Sequence, residues 1–180
     1  MPRRLPHAPS LIAPGTVCML LLAAVGGCDK GLEPEPICAP GLVGVCGTLR
    51  FRGTIPDSTD NVFVAAYATM PRNCNELIAN RQPFIPGSVP YTDSVAPYSV
   101  PLLPGQYEWV LAVWKKVGML TLTPADTALL RVAGYYRDAS DTTQRGIVTV
   151  PNGAAAGDID FIVDFDNLRP ATDFVTCTAL

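Results

Sequence analysis

The sequence predicts an all-β protein, built as a single antiparallel sandwich of two sheets with about seven strands and at most short helical turns. Proline and glycine contribute 18 and 15 of the 180 residues, which favours frequent turns. Between these turns the apolar residues alternate with polar ones or form short runs rich in β-branched and aromatic side chains, as is typical of strands. No long helical period separates the runs, so the pattern favours a sandwich over a βαβ fold.

The strand predicted at residues 107–116 is the centre of this arrangement. Pro104 and Gly105 supply the turn before it, because proline fixes φ and glycine tolerates a positive φ. Successive side chains of a strand point to opposite faces, and here both faces are apolar. One face carries Tyr107, Trp109, Leu111 and Val113, and the other carries Val110, Ala112 and Trp114. We expect Trp109 and Leu111 to lie in the core between the two sheets.

Six further strands are predicted along the chain, at residues 45–55, 62–70, 91–102, 129–136, 146–150 and 158–165. The first two form a hairpin, with Leu49 pointing inward and Arg50 facing water. The proline-bracketed segment 71–90 is predicted as a long structured loop with one helical turn. Thr123 followed by Pro124 predicts a second short turn of helix, because threonine caps a helix start and proline fits its first position.

The last predicted strand carries an acidic cluster. Its inward residues are Ile159, Phe161, Val163 and Phe165, and its outward residues include Asp158, Asp160 and Asp164. A solvated acidic edge that discourages pairing with another chain is the interpretation that the pattern favours. The alternatives are a calcium site formed by Asp164, Asp166 and Asn167, whose oxygen atoms suit that ion, and a pair of glycosidase carboxylates.

Three motifs occur in chain order within these predicted strands. They are Gly-x-Leu-x-Phe at 47–51, Leu-Pro-Gly-x-Tyr at 103–107 and Ile-x-Phe-x-Val at 159–163. Together they resemble the transthyretin-like domain of the carboxypeptidase regulatory-like family, over residues 45–166. The resemblance implies a prealbumin- or immunoglobulin-like sandwich, and such domains generally serve as structural or binding modules of exported proteins. The long segment 71–90 departs from the usual short domain.

The first 27 residues read as a secretory signal. Arg3 and Arg4 form a basic segment, and the apolar segment 11–25 that follows contains too short an uninterrupted run for a membrane span of about 20 residues. The sequence Val-Gly-Gly-Cys at 25–28 then resembles the lipobox of bacterial lipoproteins. That resemblance implies cleavage before Cys28, whose sulfur would carry diacylglycerol and whose amine would carry an acyl chain such as palmitate. The alternative is a cleaved signal with a cysteine near the cut.

The mature protein would be a tethered domain of acidic character. Loss of Arg3 and Arg4 takes the 13 basic residues to 11, against 16 acidic residues, which leaves no basic stripe for nucleic acid. We expect a proline-rich tether at 28–44, the sandwich at 45–166 and a C-terminal tail at 167–180.

Cysteine usage agrees with export. Cys18 leaves with the signal and Cys28 takes lipid, so Cys38, Cys46, Cys74 and Cys177 remain, and an even set in an exported protein indicates two disulfides. The short spacing favours a local Cys38–Cys46 bridge, which would leave Cys74 for Cys177, although the other connectivities stay open. A metal site is the competing use, but the spacings are not C-x-x-C and no histidine is available.

The residue inventory argues against an enzyme. The one histidine of the sequence is His7, which leaves with the signal, so a Ser-His-Asp or Cys-His arrangement and a histidine-ligated zinc are excluded from the mature protein. We expect a non-catalytic, lipid-anchored module of the cell envelope without a cofactor, facing the periplasm or the exterior and contacting an envelope protein or glycan.

A ligand- or carbohydrate-binding surface made of loop aromatics is the alternative function. The candidates are Phe84, Tyr91, Tyr98, Trp109, Trp114, Tyr135 and Tyr136. Trp109 and Trp114 are predicted on opposite faces of one strand, and neighbouring Tyr135 and Tyr136 likewise diverge. Packing is therefore favoured over binding for these rings.

Overall fold

Ten strands follow one another along the part of the chain that the computed structural model describes, residues 38–83 and 86–177. They are β1 (Gly44–Arg52), β2 (Thr59–Tyr67), β3 (Val95–Pro101), β4 (Gly105–Tyr107), β5 (Trp109–Lys116), β6 (Leu130–Tyr135), β7 (Val148–Val150), β8 (Ala155–Ala156), β9 (Phe161–Asp164) and β10 (Arg169–Pro170). A short helix, α1 (Cys74–Ala79), lies between β2 and β3, and 3₁₀ turns occur at Pro124–Ala128, Phe165–Asn167 and Ala171–Asp173. The predicted signal, Cys28, the first part of the tether and Phe84 lie outside the described residues.

Two four-stranded sheets face each other, which confirms the predicted sandwich. The hairpin predicted for the first two strands is wrong, because β1 and β2 lie in different sheets. The first sheet is centred on β1, with β3 antiparallel on one side and β8 and β9 on the other. The second sheet has the order β10-β6-β5-β2 and is antiparallel throughout, and β4 pairs with β7 beside them. β8 and β9 run parallel to β1, a pairing that follows from long crossover connections and that residue alternation does not reveal.

The core between the two sheets is filled from the inward face of each strand. Leu49 of β1, Val64 of β2, Val110 of β5 and Val163 of β9 are at most 1% exposed there. Trp114 joins them, and its indole Nε1 donates a hydrogen bond of 2.7 Å to Thr59 Oγ1, which satisfies its polar atom. The alternation predicted for β1 is confirmed, because Leu49 is buried and Arg50 is exposed.

The prediction that Trp109 and Leu111 lie between the sheets is wrong. Both side chains are buried on the opposite, outer face of the second sheet, in a separate core with Phe63 and Val132. Both faces of residues 109–114 are apolar, so the sequence alone does not say which face meets the other sheet. A further layer of chain covers the outer face.

That layer is formed by α1 and by the C-terminal segment. Asn73 caps α1, because its side chain accepts a hydrogen bond from the Glu76 amide, and the helix turns Leu77 and Ile78 into the outer core. From the C-terminal segment, Val175 packs into the same core. The helical turn predicted within the long structured loop 71–90 is confirmed as α1, which covers the outer face of the second sheet, whereas Val89 of the same segment packs in the core between the sheets.

Two disulfides hold these segments in place. Cys74 of α1 is bonded to Cys177, which confirms that predicted bridge and joins the two halves of the covering layer. Cys38 is bonded to Cys46 of β1, so the residues just before β1 are fastened to the first sheet. Residues 38–43 and 167–177, which the sequence assigned to the tether and tail, thus contribute structure to the domain.

Asp126, in the 3₁₀ turn after β5, is a buried carboxylate that organises the preceding loop. Its oxygens accept hydrogen bonds from the backbone amides of Thr121, Leu122 and Thr123 and from the Thr121 hydroxyl, at 2.6–3.3 Å. Burial by itself raises the pKa of Asp126, but the hydrogen bonds outweigh burial and hold the pKa below its ordinary value.

Replacing Asp126 by asparagine is expected to lower the free energy of unfolding by about 1–3 kcal/mol at neutral pH. Because the pKa is lowered in the folded protein, this stabilisation is fully present above the unfolded value of about 3.9 and is lost as pH falls through the folded value. Urea melts of both proteins at neutral pH and at about pH 2 test this. A difference that does not shrink in acid would contradict the assignment.

Candidate functional site

A cleft of about 520 Å³ lies where β6 of the second sheet meets β9 of the first. Its floor is backbone: a Cβ atom added to Gly134 of β6 would lie 1.9 Å from the carbonyl oxygen of Ile162 in β9. Only glycine allows this approach, and the contact leaves no room for an added strand between β6 and β9. A ligand would therefore lie on the outside of the junction.

The sheet edges at β3 and β2 are protected. The outer edge of β3 carries Pro97 and Pro101, which lack the amide hydrogen needed for pairing. The edge of β2 is covered by the loop after α1, since the Ala66 and Gln82 backbones exchange hydrogen bonds and the Val89 amide donates to Val62. The junction of β6 and β9 is closed by the contact at Gly134, and the cleft lies on its outside.

One wall of the cleft presents two arginines that lie over aromatic rings. The guanidinium of Arg137 is 4.5 Å from the ring centroid of Tyr135, and that of Arg169 is 4.5 Å from the ring centroid of Phe174. Arg137 Nη1 also donates to the Thr142 carbonyl at 2.6 Å. Tyr135 and Phe174 meet edge to face at 6.2 Å, so the four side chains form one stacked group.

Arg169 is fixed at a second point, and each guanidinium keeps donors for a ligand. Its Nε donates to Asp173 at 3.1 Å, four residues later in the chain. A guanidinium carries five N–H donors in a planar fork, and the bonds formed here use only part of that fork. This wall therefore presents two guanidinium groups to the cleft, whose lining also includes the carboxylates of Asp138 and Asp158.

The opposite wall carries the acidic cluster, and the structure shows what those carboxylates contact. Asp160 accepts from the Thr48 amide at 2.7 Å, and Asp164 accepts from Arg52 at 2.8 Å. These two bonds tie β9 to the neighbouring β1, so both carboxylates already have protein partners.

Of the three residues in the calcium hypothesis, Asp164 and Asp166 also accept hydrogen bonds from protein groups. Asp164 also accepts from the Asp166 amide, and Asp166 accepts from the Thr54 amide at 2.9 Å, while Asn167 lines the cleft. Within residues 38–83 and 86–177, no group of three or more acidic, histidine or cysteine side chains is placed to hold a metal ion. The Asp164 and Asp166 carboxylates accept hydrogen bonds from backbone amides, and Asp164 also accepts one from the Arg52 side chain.

Two further aspartates, Asp138 and Asp141, hold the shape of the loop that follows β6 beside the cleft. Asp138 accepts from the Ser140 hydroxyl and amide, which hold the pKa of its exposed carboxyl below the ordinary value. Asp141 accepts in the same way from Thr143, with the same effect on its pKa. These turns fix the loop that carries Thr142, the partner of Arg137.

The aromatic residues proposed for stacking on a ligand are mostly packed. Trp109, Trp114 and Tyr98 are buried, and the Tyr98 hydroxyl donates to the Ile159 carbonyl at 2.6 Å. Burial, together with the charge of Asp160, raises the pKa of Tyr98. Tyr91 and Tyr136 are half-buried against the central core, and the ring of Tyr135 is covered by Arg137.

The residues that distinguish the cleft are Arg137, Arg169 and Phe174, none of which the sequence singled out. Tyr135 and Asp160 were noted, but for other reasons. The available signal was the sequence Tyr-Tyr-Arg at 135–137, which places a cation beside a ring.

Comparison with known proteins finds no family model, no characterised protein and no solved structure that matches the chain. The helices found within the described ranges are all too short or too polar to cross a bilayer. The resemblances to lipoproteins and to transthyretin-like domains therefore remain predictions.

Proposed function

We propose that this protein is a non-catalytic, lipid-anchored module exported to the cell envelope, where it serves a structural or accessory role. The Val-Gly-Gly-Cys motif at 25–28 supports the anchor, since several acyl chains on one residue hold a protein firmly on a bilayer. A transthyretin-like module would suit such a role.

The observation that carries the proposal is the pair of disulfides in a small β domain. Disulfides persist in oxidising compartments and are rare in the cytosol. The two bridges fasten the segments at the entrance and exit of the domain: Cys38 is bonded to Cys46 of β1, and Cys177 is bonded to Cys74 of α1. A domain in which disulfides bond both the entrance and the C-terminal segment is suited to exposure outside the cytoplasm.

Replacing Cys28 by serine is expected to move the protein out of the detergent phase of membrane extracts, because serine lacks the thiol that receives diacylglycerol. Cys18→Ser is the matched control, since residue 18 would leave with the signal and its loss should leave partitioning unchanged. Phase partitioning and immunoblotting measure the distribution. Equal retention of wild type and Cys28→Ser in the detergent phase would refute the anchor.

The cleft supports a second function, the binding of an acidic group of a partner. Asp160 and Asp164 accept hydrogen bonds from protein donors, whereas Arg137 and Arg169 lie over aromatic rings and use only part of each guanidinium in bonds to the Thr142 carbonyl and to Asp173. A carboxylate-bearing segment that lies over Gly134 would meet both guanidinium groups.

Hexaglutamate is the probe for this second function, with hexalysine as the charge control. We expect hexaglutamate to shift NMR signals of the cleft in the detergent-solubilised protein, and the Arg137→Ala, Arg169→Ala double variant to lose those shifts. Arg50→Ala removes an exposed arginine from another surface and should change nothing. Equal responses to the two peptides would rule out this use of the cleft.

A further inference from the structure

The cleft outside the junction of β6 and β9 keeps opposite charges apart. Arg137 and Arg169 lie on the wall formed by β6 and β10, whereas Asp158 and Asp160, just before β9, line the other wall. Within residues 38–83 and 86–177, neither arginine forms an ion pair with either of these aspartates. Two walls of different charge therefore face one cavity, and such an arrangement attracts a ligand that carries both signs of charge.

Arg137 provides most of the positive charge of the first wall. Its guanidinium lies over the Tyr135 ring and donates to the uncharged Thr142 carbonyl, and no carboxylate of the described residues pairs with it. Arg169 adds a second guanidinium, whose Nε is bonded to Asp173 while its other donors stay available. This wall therefore offers N–H groups in the planar arrangement that suits a carboxylate.

Asp158 is the principal acceptor of the second wall. Its side chain is exposed, and the described residues donate no hydrogen bond to its carboxylate. Its φ is +59°, a left-handed conformation that aspartate adopts more readily than most residues do. Asp160, two residues later, is also exposed, and only one of its carboxylate oxygens accepts the Thr48 amide. The remaining oxygens of both carboxylates can accept hydrogen bonds from an ammonium group.

The other charged groups that line the cleft already have protein partners. Arg52 is paired with Asp164 at 2.8 Å, so these two charges offset each other. The Asp138 carboxylate accepts the Ser140 hydroxyl and amide and the Asp141 amide, which commits it to its own loop. The charge that remains for a ligand is therefore positive on the arginine wall and negative on the wall of Asp158.

The floor between the two walls is apolar and narrow. Ile162, 46% exposed, is the outward residue of β9 between buried Phe161 and Val163, and Gly134 brings β6 against its carbonyl. A peptide that lies extended over this floor sends successive side chains to opposite sides. Every second side chain would then meet the arginine wall, and those between would meet the acidic wall. Alternating charge along the peptide is therefore the pattern that matches the cleft.

We propose that the cleft binds an extended peptide segment in which acidic and basic side chains alternate. The acidic side chains would reach Arg137 and Arg169, and the basic ones would reach Asp158 and Asp160. The cavity of about 520 Å³ is of the size of ligand-binding clefts, and the aliphatic stems of the peptide side chains would cover Ile162. This inference rests on the second function proposed above, the binding of an acidic group, and adds the requirement for basic neighbours.

Two hexapeptides of identical composition test the proposal. In one, glutamate and lysine alternate, and in the other a block of glutamates precedes a block of lysines; acetylated and amidated ends remove the terminal charges of both. Each peptide is neutral, so the acidic character of the protein acts on both alike. We expect the alternating peptide to bind the detergent-solubilised protein about tenfold more tightly than the block peptide, as measured by NMR titration.

Asp158→Asn tests the acidic wall by itself. Asparagine tolerates the left-handed conformation as aspartate does, so the variant removes the charge without a new backbone cost. We expect it to weaken binding of the alternating peptide about three- to fivefold and to leave binding of hexaglutamate undiminished. Asp93→Asn is the matched control, because Asp93 is exposed just before β3, on the side of β1 away from β9, and should change neither affinity.

The outcomes separate this inference from the function on which it rests. Equal affinity for the alternating and block peptides, or tighter binding of hexaglutamate than of the alternating peptide, would overturn the alternating pattern while acid binding by the cleft stands. Full affinity of Asp158→Asn for the alternating peptide would overturn the acidic wall. If neither hexaglutamate nor the alternating peptide shifts signals of the cleft, the second function itself is refuted, and this inference with it.

Discussion

Trp109→Ala is expected to lower the free energy of unfolding by about 3–5 kcal/mol, through lost transfer free energy and the cavity left behind. Trp109 is fully buried in the outer core, with ring centroids 5.5 Å from Tyr67 and 5.3 Å from Phe174. Its Nε1 has no hydrogen-bond partner among the described residues, so packing alone accounts for its stabilising effect. Urea denaturation followed by circular dichroism measures the change.

Arg50→Ala is the matched control, because Arg50 is exposed on the neighbouring sheet. We expect it to change the free energy of unfolding by no more than about 0.5 kcal/mol. If Arg50→Ala were as damaging as Trp109→Ala, the assignment of buried and exposed faces would fail. A cost for Trp109→Ala below about 1 kcal/mol would show that the outer face of the second sheet is not covered.

Removing the Cys74–Cys177 bridge is expected to cost about 2–5 kcal/mol, because the bridge closes a long loop in the unfolded chain. The two cysteines are 103 residues apart in sequence, against 8 for Cys38 and Cys46. The covering layer should also loosen, so the fluorescence of Trp109 should shift towards that of an exposed indole. The variant is Cys74→Ala with Cys177→Ala, measured without reductant.

Cys38→Ala with Cys46→Ala provides the comparison. Its loop is short, so the loop-closure contribution is smaller, and Trp109 lies in the other core and should keep its emission. A larger loss of stability from this pair than from the Cys74 and Cys177 pair would contradict the role assigned to the covering layer.

The strands were predictable where one face is apolar and the other polar. In β1, Leu49 and Arg50 are on the sides that alternation indicates, and near β9 the residues Ile159, Phe161 and Val163 point inward as predicted. Local periodicity decides such cases because only one face can be buried.

The covering layer was not predictable in the same way. Residues 109–114 are apolar on both faces, so their pattern is compatible with either face meeting the other sheet. The choice depends on where α1 and the C-terminal segment pack, which is a contact between residues far apart in sequence. The predicted pairing of Cys74 with Cys177 was the sequence feature that indicated this contact.

The predicted central strand is interrupted at Glu108, and the alternation of its side chains does not predict this break. β4 ends at Tyr107 and β5 begins at Trp109, and the Glu108 carboxylate accepts the Met70 amide at 2.8 Å. As a result Tyr107 faces the central core while Trp109 faces the outer one. Tyr107 and Trp109, which the sequence pattern placed on one face of a single strand, therefore belong to two different cores.

The cleft was not predicted from the sequence, because the side chains that form its arginine-bearing wall come from three separate segments. Arg137 follows β6, Arg169 lies in β10 and Phe174 lies in the segment assigned to the tail. Each arginine alone resembles a solvated charge. Only the pairing of β10 with β6 brings the two stacked guanidinium groups to one wall.

The N-terminal residue of the protein isolated from membranes tests the central claim most directly. Mass spectrometry of its first proteolytic peptide should begin at Cys28 and carry the added mass of diacylglycerol and an amide-linked acyl chain. An N-terminus at any other residue, or an unmodified Cys28, would contradict the account of this protein as a lipid-anchored module.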